Sequence, residues 1–142
     1  MVAEDFKPHA HYRTTPVEGV RAEEMILDIG ETTIARLEEI FQKAKTVVWN
    51  GPFGAFELPP FDIGTNAVAR IVASLTKQDA LKSVAGGGDT VAALKNAGVM
   101  DDFTYVSTAG GAFLEWLEGN ALPGVSALDC NESTDLKDDR TT

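Results

Sequence analysis

The chain has 142 residues, 44% of them apolar and 24% charged, the make-up of one globular domain with a packed interior and too little chain for two. No apolar run approaches membrane-spanning length, no basic-then-apolar leader opens the chain, and Cys130 is the only cysteine; a cytoplasmic protein is expected, with no membrane partner, internal disulfide or thiolate metal cluster. A formal net charge of −10 without a basic stripe argues against nucleic acid, yet is compatible with a small anion held by local amides, a metal ion and a lysine or two.

Residues 1–25 are weakly patterned. Met1-Val2-Ala3 is too short to be read as a strand, and Met25-Ile26-Leu27 is a brief apolar run ending at Asp28-Ile29-Gly30. His9 and His11 would face one way on an extended segment, as two metal ligands could, but no third ligand is near and a solvated loop is expected. From Glu31 to Lys45 the spacing predicts a helix with Ile34, Leu37, Ile40, Phe41 and Ala44 on its apolar side, Glu31 at its start and Lys43 and Lys45 at its end. Thr46-Val47-Val48-Trp49 reads as a buried parallel strand stopped by Asn50-Gly51-Pro52. A loop through Glu57 and Pro59-Pro60 follows, and helical spacing resumes near Gly64-Thr65 with Ala67, Val68, Ile71, Val72 and Leu75 inward.

The stretch Val84 to Leu94 carries the chemistry. A strand from Ser83 to Ala85 runs into Gly86-Gly87-Gly88, then Asp89-Thr90, then a helix to Ala97 capped by Gly98. Glycines let main-chain amides approach a ligand closely, and a helix starting there points unpaired N–H groups and a positive dipole end at it. A phosphate suits that environment, and Asp89 suits it once a divalent cation lies between them. The alternative is a plain strand-to-helix turn with Asp89 as N-cap. A further strand, Thr104-Tyr105-Val106, ends at Ser107-Thr108-Ala109-Gly110-Gly111, with a helix from about Ala112 to Glu118 that turns Phe113, Leu114 and Leu117 inward. Residues 129–142 lack apolar periodicity and are expected to be a disordered tail, with Cys130 inside it.

Strand, turn and helix thus recur three times, which predicts an α/β fold: a parallel sheet with flanking helices in a Rossmann-like three-layer arrangement. Ligands of such sheets sit at the carboxyl ends of the strands, where the turns at Asn50, Gly86–Thr90 and Ser107–Gly111 fall.

Trp49-Asn50-Gly51-Pro52-Phe53-Gly54-Ala55-Phe56-Glu57 closely resembles the tryptophan-asparagine-glycine-proline signature of phosphoglycerate kinases, and Gly86-Gly87-Gly88-Asp89-Thr90 resembles their nucleotide-phosphate turn. Ser107 to Ala112, Leu117-Glu118-Gly119 and Leu122-Pro123-Gly124-Val125 are similar to the closing segment of that family, and Asp28-Ile29-Gly30 and Phe61 to Thr65 fit its pattern too. The resemblance covers residues 22–128 in the right order and only the last third of such an enzyme. Residues 1–128 would then be the C-terminal portion of its nucleotide-binding domain.

The resemblance implies a glycolytic phosphotransferase that moves a phosphoryl group between 1,3-bisphosphoglycerate and ADP, giving 3-phosphoglycerate and ATP, with Mg2+ accompanying the nucleotide. It implies Glu57 on the ribose hydroxyls and Asn50 near the phosphates. Gly86, Gly87, Gly88 and Thr90 fall at the nucleotide phosphates, Asp89 on the magnesium, and Gly110 and Gly111 at the phosphoryl group in flight. Left to general rules, Glu57 could be a first-turn carboxylate and Asn50 a turn former; Trp49 is read as core. Ala109 departs from the glycine most members have there, as some bacterial members do, and alanine disfavours positive φ. The phosphoglycerate-binding domain and the phosphate-facing lysines of a whole enzyme, which is a monomer, are not in this chain. The chain alone is therefore expected to be inactive, and its cut sheet to self-associate. Two further readings are a stand-alone nucleotide-binding module and an α/β fragment that packs against a partner chain.

Overall fold

The computed structural model describes residues 1–107 together with 112, 115, 118 and 119. Gly110, Gly111 and Ala109, most of the predicted Ala112–Glu118 helix, and residues 129–142 with Cys130 lie outside the described residues.

The chain opens with a small antiparallel sheet. Strand β1 (Val2–Ala3) pairs on one side with β2 (Tyr12–Arg13) and on the other with β3 (Met25–Ile26), with Val2 opposite both Arg13 and Ile26. This corrects the reading of residues 1–3 as too short for a strand. Two-residue strands carry no periodicity, but Val2 and Ala3 are buried, and partners nine or more residues away supply the pairing. Met1, Ala3, Ala10, Leu27 and Phe61 form a core of their own beneath this sheet, with Phe61 fully enclosed.

Helix α1 (Glu31–Phe41) begins after Gly30 with Glu31 in its first turn and ends at Phe41, so Lys43 and Lys45 lie beyond it. Ile34, Leu37, Phe41 and Ala44 pack on the main core, whereas Ile40 is 51% exposed at the margin of that stripe. Strand β4 (Thr46–Asn50), strand β5 (Lys82–Gly86) and strand β6 (Tyr105–Ser107) form a parallel sheet in the order β4-β5-β6. Helix α2 (Ile63–Lys77) links the first two strands and helix α3 (Gly88–Ala97) the last two. Gly98 caps α3 at φ 72°, the left-handed turn expected of it.

Helix α2 packs between α1 and α3. Its Val68, Ala69 and Val72 are fully buried against Trp49, Ala85 and Leu94, each such valine stabilising the fold by roughly 1.5–3 kcal/mol. The face that Val47, Trp49, Ala85 and Val106 share meets all three helices. On the other face Val48, Val84 and Tyr105 stand side by side in register with Val48 50% exposed, so β4, read from the sequence as a buried strand, is fully buried only at Trp49 on its helix-facing side. The expected parallel sheet with flanking helices is present, and its described helices form one layer. Among the described residues no helix is long and apolar enough to cross a membrane.

Candidate phosphate site

Parallel pairing puts Asn50, Gly86 and Ser107 side by side at the carboxyl edge of the sheet, so the three predicted turns start from adjacent points. Gly87 is the N-cap of α3 and adopts φ 102°, ψ 143°, a conformation closed to residues with a Cβ. No side chain caps this helix, so its first N–H groups stay open towards the turn. Asp89 is the second residue of the helix rather than its cap, which removes the plain N-cap reading.

Around this helix end the sequence-predicted residues are arranged as follows. Asn50 is exposed, and its Oδ1 lies 3.9 Å from where a Cβ on Gly87 would stand, so the amide group flanks the glycine turn. Glu57 and Asp89 are both exposed and line one depression of about 340 Å³ with Phe6, Pro52, Gly54 and Phe56. Glu57 precedes the start of α2 at Ile63 and so is not a first-turn carboxylate. Gly86 is buried at the strand end, while Gly88 is open, with nothing within 4 Å of a Cβ added to it. Thr90 is placed differently from the surface residues. It is 1% exposed, and its Oγ1 accepts the Gly51 N–H at 2.7 Å.

Trp49 is core, as read. It is buried against Phe103 and Phe53, and its indole N–H donates to the Gly51 carbonyl at 2.6 Å. Two residues not predicted for the site lie just behind it. Thr65 Oγ1 accepts the Phe53 N–H at 3.0 Å. Asp28, 3% exposed, accepts the Gly64 N–H at 2.7 Å and the Ile29 N–H at 2.8 Å. Burial pushes the Asp28 carboxyl above its ordinary range, and the two N–H bonds oppose that shift. The sequence signs of it were a lone carboxylate inside the apolar run Met25 to Ile29 and the fit of Asp28-Ile29-Gly30 to the family pattern.

An exposed carboxylate such as Asp89 beside open main-chain amides is compatible with Mg2+, which takes few protein ligands. Among the described residues no group of three or more His, Cys, Asp or Glu could hold a metal unaided. His9 and His11 are exposed on the loop between β1 and β2. A second depression beside the small sheet, lined by His11, Arg13, Arg21 and Glu24, has a less available charge. Arg13 donates to both Glu24 carboxylate oxygens at 2.7 and 2.6 Å and to the Gly19 carbonyl at 2.8 Å.

The family model that matches this chain, described as "Phosphoglycerate kinase", covers residues 1–120. A phosphoglycerate kinase of Azorhizobium caulinodans is 65% identical over 128 residues, 90% of this chain and 32% of that protein. One of Dinoroseobacter shibae is 60% identical over 129 residues, 91% of this chain and 33% of that protein. The solved structure of the phosphoglycerate kinase of Coxiella burnetii superposes with a TM-score of 0.80 at 42% identity, over 89% of this chain and 32% of that one. The chain thus spans about a third of the length of the relatives it matches.

Proposed function

As the chain belongs to the phosphoglycerate kinase family, we propose that residues 1–128 are the C-terminal portion of a nucleotide-binding domain and supply the nucleotide-phosphate half of that reaction. The observation that carries this is the uncapped start of α3 at Gly87, beside Asn50, with Asp89 and Glu57 lining one depression. Open amides at the start of α3 would receive phosphate oxygens of ADP or ATP, Asn50 would donate from the side, and Glu57 would accept ribose hydroxyls. Asp89 would hold Mg2+, which when bound neutralises phosphate charge. Gly110 and Gly111 would offer amides to the phosphoryl group passing to or from the phosphoglycerate carboxylate.

Both reacting groups, a carboxylate and a nucleotide phosphate, are ionised near neutral pH, so the site needs no general base. It needs alignment and charge neutralisation. A single well-aimed donor contributes roughly 3 kcal/mol, about a hundredfold in rate. Without the basic phosphoglycerate-binding wall of a whole enzyme, the 142-residue chain alone forms no ATP from 1,3-bisphosphoglycerate. A coupled assay showing turnover by this chain overturns that statement.

Calorimetric titration with Mg-ADP tests the binding half. Wild-type chain binds, and Asp89→Ala weakens binding about ten- to a hundredfold in magnesium, the range of a charge-assisted contact, while affinity in chelator changes little. Equal affinity of both proteins with and without magnesium removes Asp89 from the metal. A second reading, a fragment that packs against a partner chain, draws on the exposed apolar row through Val48. Light scattering separates the two, because that reading needs association and no ADP affinity.

A further inference from the structure

The loop that follows β4 is fastened by two buried hydroxyls. Thr90 Oγ1 accepts the Gly51 N–H at 2.7 Å, and Thr65 Oγ1 accepts the Phe53 N–H at 3.0 Å. The two threonines are 1% and 0% exposed. Each is the third residue of its helix, after Gly88-Asp89 in α3 and after Ile63-Gly64 in α2. Two helix starts therefore hold one loop at residues 51 and 53, on either side of Pro52, whose nitrogen has no proton to donate. The Gly51 carbonyl is taken as well, by the Trp49 indole at 2.6 Å. With its N–H and C=O both engaged inside the protein, Gly51 is not an anion donor. What the loop presents to a ligand is Asn50 at one end and the Pro52–Gly54 wall of the depression at the other.

We propose that Thr65 and Thr90 are positioning residues that clamp the Asn50–Phe53 loop against the starts of α2 and α3, and that this clamp sets nucleotide affinity. The inference rests on the nucleotide reading above and adds a role for two side chains that act through the loop. Chemistry selects the hydroxyl. Valine matches threonine in shape but has no acceptor, so a part-buried N–H would lose its partner and the loop would open more often. Serine keeps the oxygen.

The test uses the 142-residue chain with Thr65→Val, Thr90→Val, the two corresponding serine variants, and Ser83→Ala as control. Ser83 is equally buried, but its hydroxyl accepts the Thr104 N–H at 3.1 Å at the amino end of β5, away from the loop. Two quantities are read: Mg-ADP affinity by calorimetry and amide hydrogen exchange at Gly51 and Phe53 by NMR. Each valine variant is expected to speed exchange at its own amide about ten- to a hundredfold and to weaken Mg-ADP about tenfold, the scale of one lost hydrogen bond to a half-buried donor. The serine variants restore both, and Ser83→Ala lowers the denaturation midpoint without moving affinity.

Fast exchange at Gly51 and Phe53 in the wild-type chain overturns the clamp even if a valine variant does not fold. Valine variants that exchange faster yet bind Mg-ADP as the wild type does overturn the positioning role alone. An affinity loss shared with Ser83→Ala assigns the effect to stability and overturns it too. A wild-type chain that binds no Mg-ADP sinks the nucleotide reading itself and the clamp's purpose with it.

Discussion

The antiparallel sheet closes over five buried apolar residues and is built from two-residue strands, whereas the parallel sheet and its helices enclose a cluster of eleven, Trp49 to Phe103. In the parallel unit the backbone ladder and aliphatic packing specify the structure, and polar side chains contribute at the edges. The small unit depends on fixed polar groups instead: the Arg13–Glu24 fork, and the Asp28 carboxylate between Ile29 and Gly64. Asp28 is also the joint between the two. Its Oδ2 receives an N–H from the first turn of α2, and the next loop returns Ala55 N–H to the Leu27 carbonyl at 2.8 Å. A segment too short for a periodic apolar face can be fixed by a few hydrogen bonds whose partners have nowhere else to go.

If Asp28 does join the units, truncating either core should be felt by both. Phe61→Ala removes a fully enclosed ring and is expected to cost about 3–5 kcal/mol, and Leu94→Ala, equally enclosed in the larger cluster, about 2–5 kcal/mol. Urea denaturation followed by far-UV circular dichroism should give one transition for each. A two-step curve for Phe61→Ala alone would show that the small unit melts by itself. Gly54→Ala probes the joint directly. Its Cβ would come 2.5 Å from Asp28 Oδ1 and 2.6 Å from the Phe61 carbonyl, an overpacking expected to cost about 1–3 kcal/mol. Gly88→Ala is the contrast, since its Cβ meets nothing within 4 Å. On the nucleotide reading proposed above, stability should hold while Mg-ADP affinity falls, since Gly88 would keep the helix end open for a ligand whereas Gly54 makes room for the fold.

The same contrast explains what the sequence disclosed. Strand β4, helix α2 and the β5-turn-α3 unit were legible because each is local. Val68 and Val72 repeat at helical spacing, Gly87 and Gly98 mark the two ends of α3, and the Asn50 and Gly86 turns fall in register as parallel pairing requires. The helices ran shorter or longer than read where periodicity fades. Helix α1 stops at Phe41, and Ala67, Ile71 and Leu75 of α2 are half-buried while Ala69 and Ala73 are enclosed. Strand β1 was not legible, since its partners at residues 12–13 and 25–26 share no repeat with it. Nor were the bonds from Thr65, Thr90 and Asp28 to loop and helix amides, which span 12, 39 and 36 residues. A hydroxyl or carboxylate in a helical or apolar stretch does not announce which distant N–H it will meet.

The smallest effect expected is also the one that separates the units by charge. Arg13 first, through its bidentate bonds, and then the Arg21 N–H hold the Glu24 carboxyl at about 2 instead of the ordinary 4.5. A depressed carboxylate stabilises the folded chain above the unfolded value, and that contribution drains away as pH falls from 4.5 towards about 2. Asp28 acts in the opposite sense. Its raised pKa means that folding favours the neutral carboxyl, so its contribution is fully present below 3.8 and is lost as pH rises through its titration in the folded chain. Arg13→Gln removes the larger part of the first effect, leaving the Arg21 N–H bond, and does not touch the second. The difference in melting temperature between wild type and this variant should therefore be constant above pH 5 or so and shrink towards nothing near pH 2, the range set by the Glu24 values. A difference that persists unchanged at the acid end would mean that Arg13 supports the small sheet through its aliphatic stem and the Gly19 carbonyl rather than through the Glu24 charge. The small unit would then be held by packing, as the large one is.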